Sequence, residues 1–111
     1  MGSLEAEVLK FLWSQDHAAT PGEVLEGLGS GLAYTTVMTI LTRLWSKQLV
    51  FRDRDGRAYA YRPALSEAEF AARKMADALS HVVDRKATLS RFVGGLTKKD
   101  AAALRKLLDR P

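Results

Sequence analysis

The sequence predicts a mainly α-helical chain with one small β-hairpin, on three observations. In the stretch Ala33–Lys47, Val37, Ile40, Leu41 and Leu44 recur at i, i+3, i+4 and i+7, the spacing of one buried helical face. After Gln48 the period changes: Leu49–Arg54 and Arg57–Arg62 read as strands, and Asp55-Gly56 between them is a hairpin signal. From Pro63 onward the pattern is helical again, in stripes too short and too separate to form a core alone. Helix, helix, helix and basic hairpin, in that order within about sixty residues, make a winged helix-turn-helix followed by a helical arm. The expected division is 1–63 for the winged helix and 64–111 for an arm that dimerises.

The first helix is expected over residues 4–15. Leu4, Val8, Phe11 and Leu12 share a face, Trp13 extends it, and Glu5 and Glu7 suit the positive end of the helix dipole. Asp16-His17 ends it. In Thr20-Pro21-Gly22-Glu23, Thr20 caps, Pro21 takes the first helical position and Glu23 completes a capping box. Val24, Leu25 and Leu28 face the core, and Gly27, Gly29 and Gly31 make a breaker-rich turn. After the hairpin, Ser66 and Glu69 form a second capping box. The following helix carries a stripe of Ala71, Met75, Ala78, Leu79, Val82 and Val83. Leu89, Phe92, Val93 and Leu96 form another apolar cluster, closed by Gly94-Gly95. Thr97 caps a last helix with Leu104, Leu107 and Leu108 on its apolar face. These arm stripes either pack back on the winged helix or bury themselves against a second copy. A helix-turn-helix on duplex DNA usually works as a two-fold dimer, which favours the second copy.

Composition narrows the chemistry. The chain has 111 residues and no cysteine, which excludes disulfides, thiolate metal sites and a cysteine nucleophile. No apolar run approaches a membrane span and no secretory signal pattern opens the chain, so a cytoplasmic protein is expected. Met1-Gly2-Ser3 is not a myristoylation signal, because Ala6 stands where a hydroxyl residue is wanted. An enzyme lacks parts: His17 and His81 are the histidines, and there is neither a glycine-rich phosphate loop nor a pair of acids on one expected helix face near a histidine. No cofactor or metal is expected; His17 reads as a loop residue and His81 as a surface or dimer-contact residue.

The net charge of +4 is unevenly spread. Residues 1–32 hold one basic residue against five acids, whereas residues 33–62 hold six against two. The centre of the chain is where an anionic partner would be met; on charge alone, an ordinary solvated basic surface is the more common reading. There the outer face of Ala33–Lys47 carries Thr35, Thr36, Thr39, Thr42, Arg43 and Ser46, without the Glu/Lys pairs that solubilise an exposed helix. Hydroxyls bond phosphates and threonine methyls touch thymine methyls; the alternative is a threonine-rich surface helix with no partner. Arg52, Arg54 and Arg57 either reach the DNA backbone from the wing or pair with Asp53 and Asp55 in an ordinary exposed turn. A winged helix used for protein contacts would show large apolar anchors on its outer helix, where this one shows threonines and an arginine.

The residues Leu4–Trp13, Tyr34–Leu44 with Lys47 and Leu49-Val50, and Arg57–Tyr61 resemble the penicillinase-repressor family of the BlaI/MecI/CopY type over essentially the whole chain. The resemblance implies a homodimeric transcriptional repressor on a palindromic operator of double-stranded DNA. Its third helix would lie in the major groove, with Thr35, Thr36, Thr39, Thr42 and Arg43 toward bases and phosphates. Tyr34 would stand at the phosphate-facing start of that helix, and Met38 would be either an apolar base contact or core. Arg52, Arg54 and Arg57 would hold the wing to the backbone. Met75, Leu79, Val82, Val83, Leu89, Phe92, Leu104 and Leu108 would form the dimer contact. Copper-responsive members use Cys-x-Cys motifs, which this chain lacks. The β-lactam-responsive members are cut between Asn and Phe in the arm, under a membrane sensor-protease. The matching bond here is Arg91-Phe92, with Phe kept and Asn replaced by Arg. Cutting there would sever the last helix from the arm and weaken the dimer.

Overall fold

The computed structural model describes residues 3–29 and 31–110; Met1, Gly2, Ser30 and Pro111, and with them the reading of the N-terminus, lie outside the described residues. The elements are α1 (Ser3–Trp13), α2 (Pro21–Leu28), α3 (Tyr34–Ser46), β1 (Val50–Asp55), β2 (Ala58–Pro63), α4 (Glu67–Ser80), α5 (Arg85–Gly94) and α6 (Lys98–Leu108). Two compact units result, Met1–Ala71 and Ala72–Pro111. A mainly helical chain with one hairpin is the architecture expected.

In the first unit, α1, α2 and α3 close on one core. Val8, Leu9 and Leu12 from α1 meet Val24 from α2 and Val37, Ile40, Leu41 and Leu44 from α3, with Val50 and Tyr61 from the strands. Leu65 is also buried, and Phe70 packs on the cluster, its ring 5.7 Å from that of Trp13. The Trp13 indole N–H donates to the Leu65 carbonyl at 3.0 Å. Residues past Pro63 thus help to bury the end of α1.

Local chemistry sets most boundaries. Thr20 caps α2 as expected: its N–H donates to Glu23 Oε1 at 2.8 Å and Glu23 N–H donates to Thr20 Oγ1 at 3.3 Å. The Thr20 backbone N–H holds the Glu23 carboxyl below its ordinary range. A carboxyl lowered in the folded state stabilises above its unfolded pKa, and this contribution is lost as pH falls through the folded value. Beside it, a hydrogen bond with Asp16 raises the His17 imidazole. Ser66 and Glu69 exchange the same pair of bonds at the start of α4, at 2.8 and 3.0 Å.

Four expectations need correction. Helix α1 stops at Trp13 rather than residue 15: Ser14 N–H is shared between the Lys10 (3.2 Å) and Phe11 (3.0 Å) carbonyls, the Ser14 hydroxyl donates to the Phe11 carbonyl (2.6 Å), and Gln15 N–H tightens onto the Leu12 carbonyl at 3.1 Å. Gly27 is not in a turn but inside α2, where a Cβ would fall on three ring atoms of Phe11. The glycine is thus a point of close helix approach. Gly27→Ala is expected to lose about 1 kcal/mol net in a thermal melt, overpacking outweighing the gain in helix propensity; Phe11→Leu in the same chain should recover it.

The hairpin is shifted by one residue. Asp55 pairs with Ala58, so the loop is Gly56-Arg57 rather than Asp55-Gly56. Gly56 has φ 68°, and Gln48 is the one non-glycine with positive φ among the described residues, so Arg57 is not left-handed. Glycine alone at positive φ in the first loop position is a II′ turn, whose twist matches the strands. Finally, Val82 and Val83 do not continue the α4 stripe. The helix closes at Ser80, whose hydroxyl donates to the Asp77 carbonyl at 2.7 Å, and Asp84 caps α5 by accepting from Ala87 N–H at 2.9 Å.

The sequence reading missed one strand contact. Ala19, in the link between α1 and α2, bridges Tyr61: Ala19 N–H donates to Tyr61 O at 2.9 Å and Tyr61 N–H to Ala19 O at 2.7 Å. The wing is therefore anchored at its base on both edges of β2.

Candidate nucleic-acid interface

Four buried residues, Val37, Ile40, Leu41 and Leu44, fix the rotation of α3 about its axis. This leaves Thr35, Thr39, Thr42, Arg43 and Ser46 exposed, with Thr36 half-buried at the edge. Thr35, Thr39, Thr42, Arg43 and Ser46 stand at i, i+4, i+7, i+8 and i+11, so they form one face with Thr36 at its edge. Nothing acidic stands in the first turn, and Ala33 at the N-cap offers no side-chain acceptor. Among the described residues no side-chain bond caps the amide N–H groups there, and Tyr34 beside them is 49% exposed.

The hydroxyl of Thr39 donates to the Thr35 carbonyl at 3.0 Å, one turn back in its own helix. Its proton is committed and its lone pairs are free, so it meets a partner as an acceptor, with its methyl alongside. Met38 is half-buried and is not among the core cluster residues.

The wing leaves α3 through a tight link. Gln48 takes φ 65°, and Leu49 N–H donates to the Leu44 carbonyl at 2.9 Å. The wing arginines occupy three different places. Arg57 is exposed in the II′ turn. Arg54 is exposed, with Nη1 donating to the Arg57 carbonyl at 3.4 Å. Arg52 is half-buried: its guanidinium carbon is 3.6 Å from the centroid of the Trp45 ring and 4.2 Å from that of Tyr59. Among the described residues none of the three forms an ion pair with Asp53 or Asp55, so the pairing alternative is not what the tip adopts. On the other face of the hairpin, Arg62 lies over Phe51 at 4.6 Å. The sequence reading missed Trp45 and Tyr59 as companions of Arg52; spacing carries no signal for a contact between a helix end and two strands. Lys47, at the C-cap of α3, pairs with Glu5 of α1 at 2.9 Å and ties the end of the helix to the core.

In the second unit, Met75 and Leu79 of α4, Val82 of the link, and Leu89 and Phe92 of α5 line one apolar groove of about 370 Å³. Val83 points away, fully exposed in the link, and Leu104 and Leu108 lie outside the groove on α6. Much apolar surface is open: Met75 is 58%, Phe92 48% and Leu108 76% exposed. Arg91 and Phe92 lie within α5 rather than in an extended segment. His81 follows the end of α4, exposed, its Nδ1 2.8 Å from the Asp77 carbonyl. No helix among the described residues is long and apolar enough to cross a membrane.

Two strains of Mycobacterium tuberculosis hold a transcriptional regulator BlaI that is 42% identical over 113 residues, covering 97% of this chain and 82% of that protein. Among solved structures, the fold is shared with MepR, a transcription regulator of the Staphylococcus aureus multidrug efflux pump MepA (TM-score 0.55, 17% identity, 96% of this chain and 73% of that one). A MepR–DNA complex matches at TM-score 0.54 and 21% identity, over 86% of this chain and 80% of that one. A MarR family protein from Bacillus stearothermophilus matches at 0.52 and 18%, over 97% and 70%. The family model described as penicillinase repressor matches residues 1–110, and the chain belongs to that family of winged-helix transcriptional regulators, which are not enzymes.

Proposed function

We propose that this protein is a homodimeric transcriptional repressor that reads a palindromic operator with α3 and holds the flanking backbone with its wing. In this reading residues 1–63 bind DNA and residues 64–111 form the dimerisation arm. The observation that carries it is the exposed face of α3: threonines and Arg43, with no acid, beside an uncapped helix start and a wing whose Arg54 and Arg57 are exposed. Thr35, Thr36, Thr39 and Thr42 meet base edges and phosphates, and Arg43 supplies a charge-assisted contact. The half-buried Met38 lies at the margin of that face.

The open apolar groove of α4 and α5 supports the dimer, since a second copy would remove Met75, Leu79, Leu89 and Phe92 from water. The family membership supports a resistance-type regulon in the cytoplasm, with relief by a membrane sensor-protease pathway that cuts the arm at Arg91-Phe92. That bond is helical, so cutting it requires local opening of α5, whose last turn ends at Gly94 and Gly95.

A titration against the DNA upstream of the protein's own gene, at two salt concentrations and with random DNA as control, tests the reading. Specific binding by two protomers with a steep salt slope is the expected result; equal affinity for random DNA refutes it. Thr36→Ala and Arg43→Ala should each weaken operator binding by about 1–3 kcal/mol with the dimer intact. Operator affinities equal to wild type in both would remove α3 from the interface.

A further inference from the structure

We infer that Arg52 is a positioning residue that sets the angle between wing and recognition helix, and through it the preference for operator over random DNA. This rests on the DNA-binding reading of α3 and adds a role that its charge alone does not require.

The wing is a two-stranded hairpin, an element barely stable alone in water. Its base is tied down by the Ala19–Tyr61 bridge and by the short link from α3. At the same rung of the hairpin as that bridge, Arg52 joins the wing to the end of α3. In the β1–β2 register Arg52 stands opposite Tyr61, so Tyr59 is its diagonal neighbour on the same face. The centroid of the Trp45 ring, in the last turn of α3, is 3.6 Å from the guanidinium carbon, and that of Tyr59 is 4.2 Å from it. Both lie well inside the range in which a cation is held by an aromatic ring. A guanidinium is planar and weakly hydrated, so it stacks on rings; an ammonium keeps its water and has no face. The stack thus joins helix, strand β1 and strand β2 through one side chain.

This separates Arg52 from Arg54 and Arg57, although all three share the charge that sequence reading assigned to the backbone. Arg54 lies farther from Tyr59, at 5.1 Å, and Arg57 is exposed in the turn. A loosened wing still attracts phosphates, because the charge remains. It no longer presents them in register with α3, so the loss falls on discrimination.

Arg52→Lys is the decisive variant, since it keeps the charge and removes the plane. Its affinity for random DNA and its salt slope should stay within about twofold of wild type, while the operator preference falls about tenfold. Tyr59→Leu should show the same loss, and Tyr59→Phe, which keeps the ring face, should restore wild-type preference. In the free protein, the Arg52 Nε–H proton should be shifted upfield in the NMR spectrum by the neighbouring rings, and Trp45→Leu should abolish most of that shift. Full operator preference in Arg52→Lys would overturn the inference, as would an unshifted Arg52 signal. The NMR signal is read without DNA. A wild type lacking operator preference would instead sink the repressor reading.

Discussion

Leu79→Asp is expected to give a monomer in sedimentation equilibrium and to lower operator affinity by about two orders of magnitude or more. Leu79 is half-buried on α4 and lines the apolar groove with Met75, Val82, Leu89 and Phe92. In the proposed dimer this groove faces a second copy. A carboxylate there has no cation to meet within the groove, and burying it unpaired costs several kcal/mol. The dimer avoids that cost by separating, because each monomer keeps the charge in water. The effect on DNA is larger than any single base contact, because a dimer binds its second half-site from an already tethered position. Avidity of this kind is worth about 10²–10⁴ in affinity and disappears with the link. Leu79→Met, similar in volume and still apolar, should remain dimeric. A dimeric Leu79→Asp protein would move the interface elsewhere, with the exposed Leu107 and Leu108 of α6 as the next surface to change.

Leu41→Ala is expected to remove about 2–5 kcal/mol of stability, measured by urea unfolding with the slope unchanged. Leu41 is fully buried between the helices of the first unit. Shortening it leaves a cavity that its neighbours Val37 and Leu44 cannot fill, since both are themselves held at zero exposure. A domain of this size has about 5–15 kcal/mol in all, so the variant stands near the threshold of folding. Truncating Thr42 to Ala on the opposite face of the same helix should change stability by under about 0.5 kcal/mol, because Thr42 is exposed. The contrast separates the two faces of α3: one holds the fold, and the other is free for a partner. A Leu41→Ala protein as stable as wild type would mean that the core does not depend on the seating of α3.

The features readable in the amino-acid order are those that neighbouring residues decide among themselves. The buried face of α3 follows from four apolar positions at helical spacing. The caps at Thr20, Ser66 and Thr97 are hydrogen bonds across three residues, each readable from the residue types. The hairpin follows from a change of period around a glycine, though its register turned on which of two adjacent positions needed positive φ, and only Gly56 takes it without a steric cost. The threonine face, the basic wing and the family resemblance were all legible in the same way.

The tertiary structure alone decided the contacts between distant positions. Gly27 reads as a breaker until Phe11 of another helix is packed against it. Leu65 and Phe70 read as the start of an arm until Trp13 needs cover. Val82 and Val83 fit a helical stripe by spacing, but the chain leaves the helix at Ser80 and Asp84 begins another. Arg52, Arg54 and Arg57 are alike in a sequence, as three charges on a hairpin. They differ in the fold because only Arg52 lies near both Trp45 and Tyr59, and a planar, weakly hydrated guanidinium stacks on aromatic faces. Such contacts have no period, because they depend on where the hydrophobic core places each element, and the core forms from the whole chain at once.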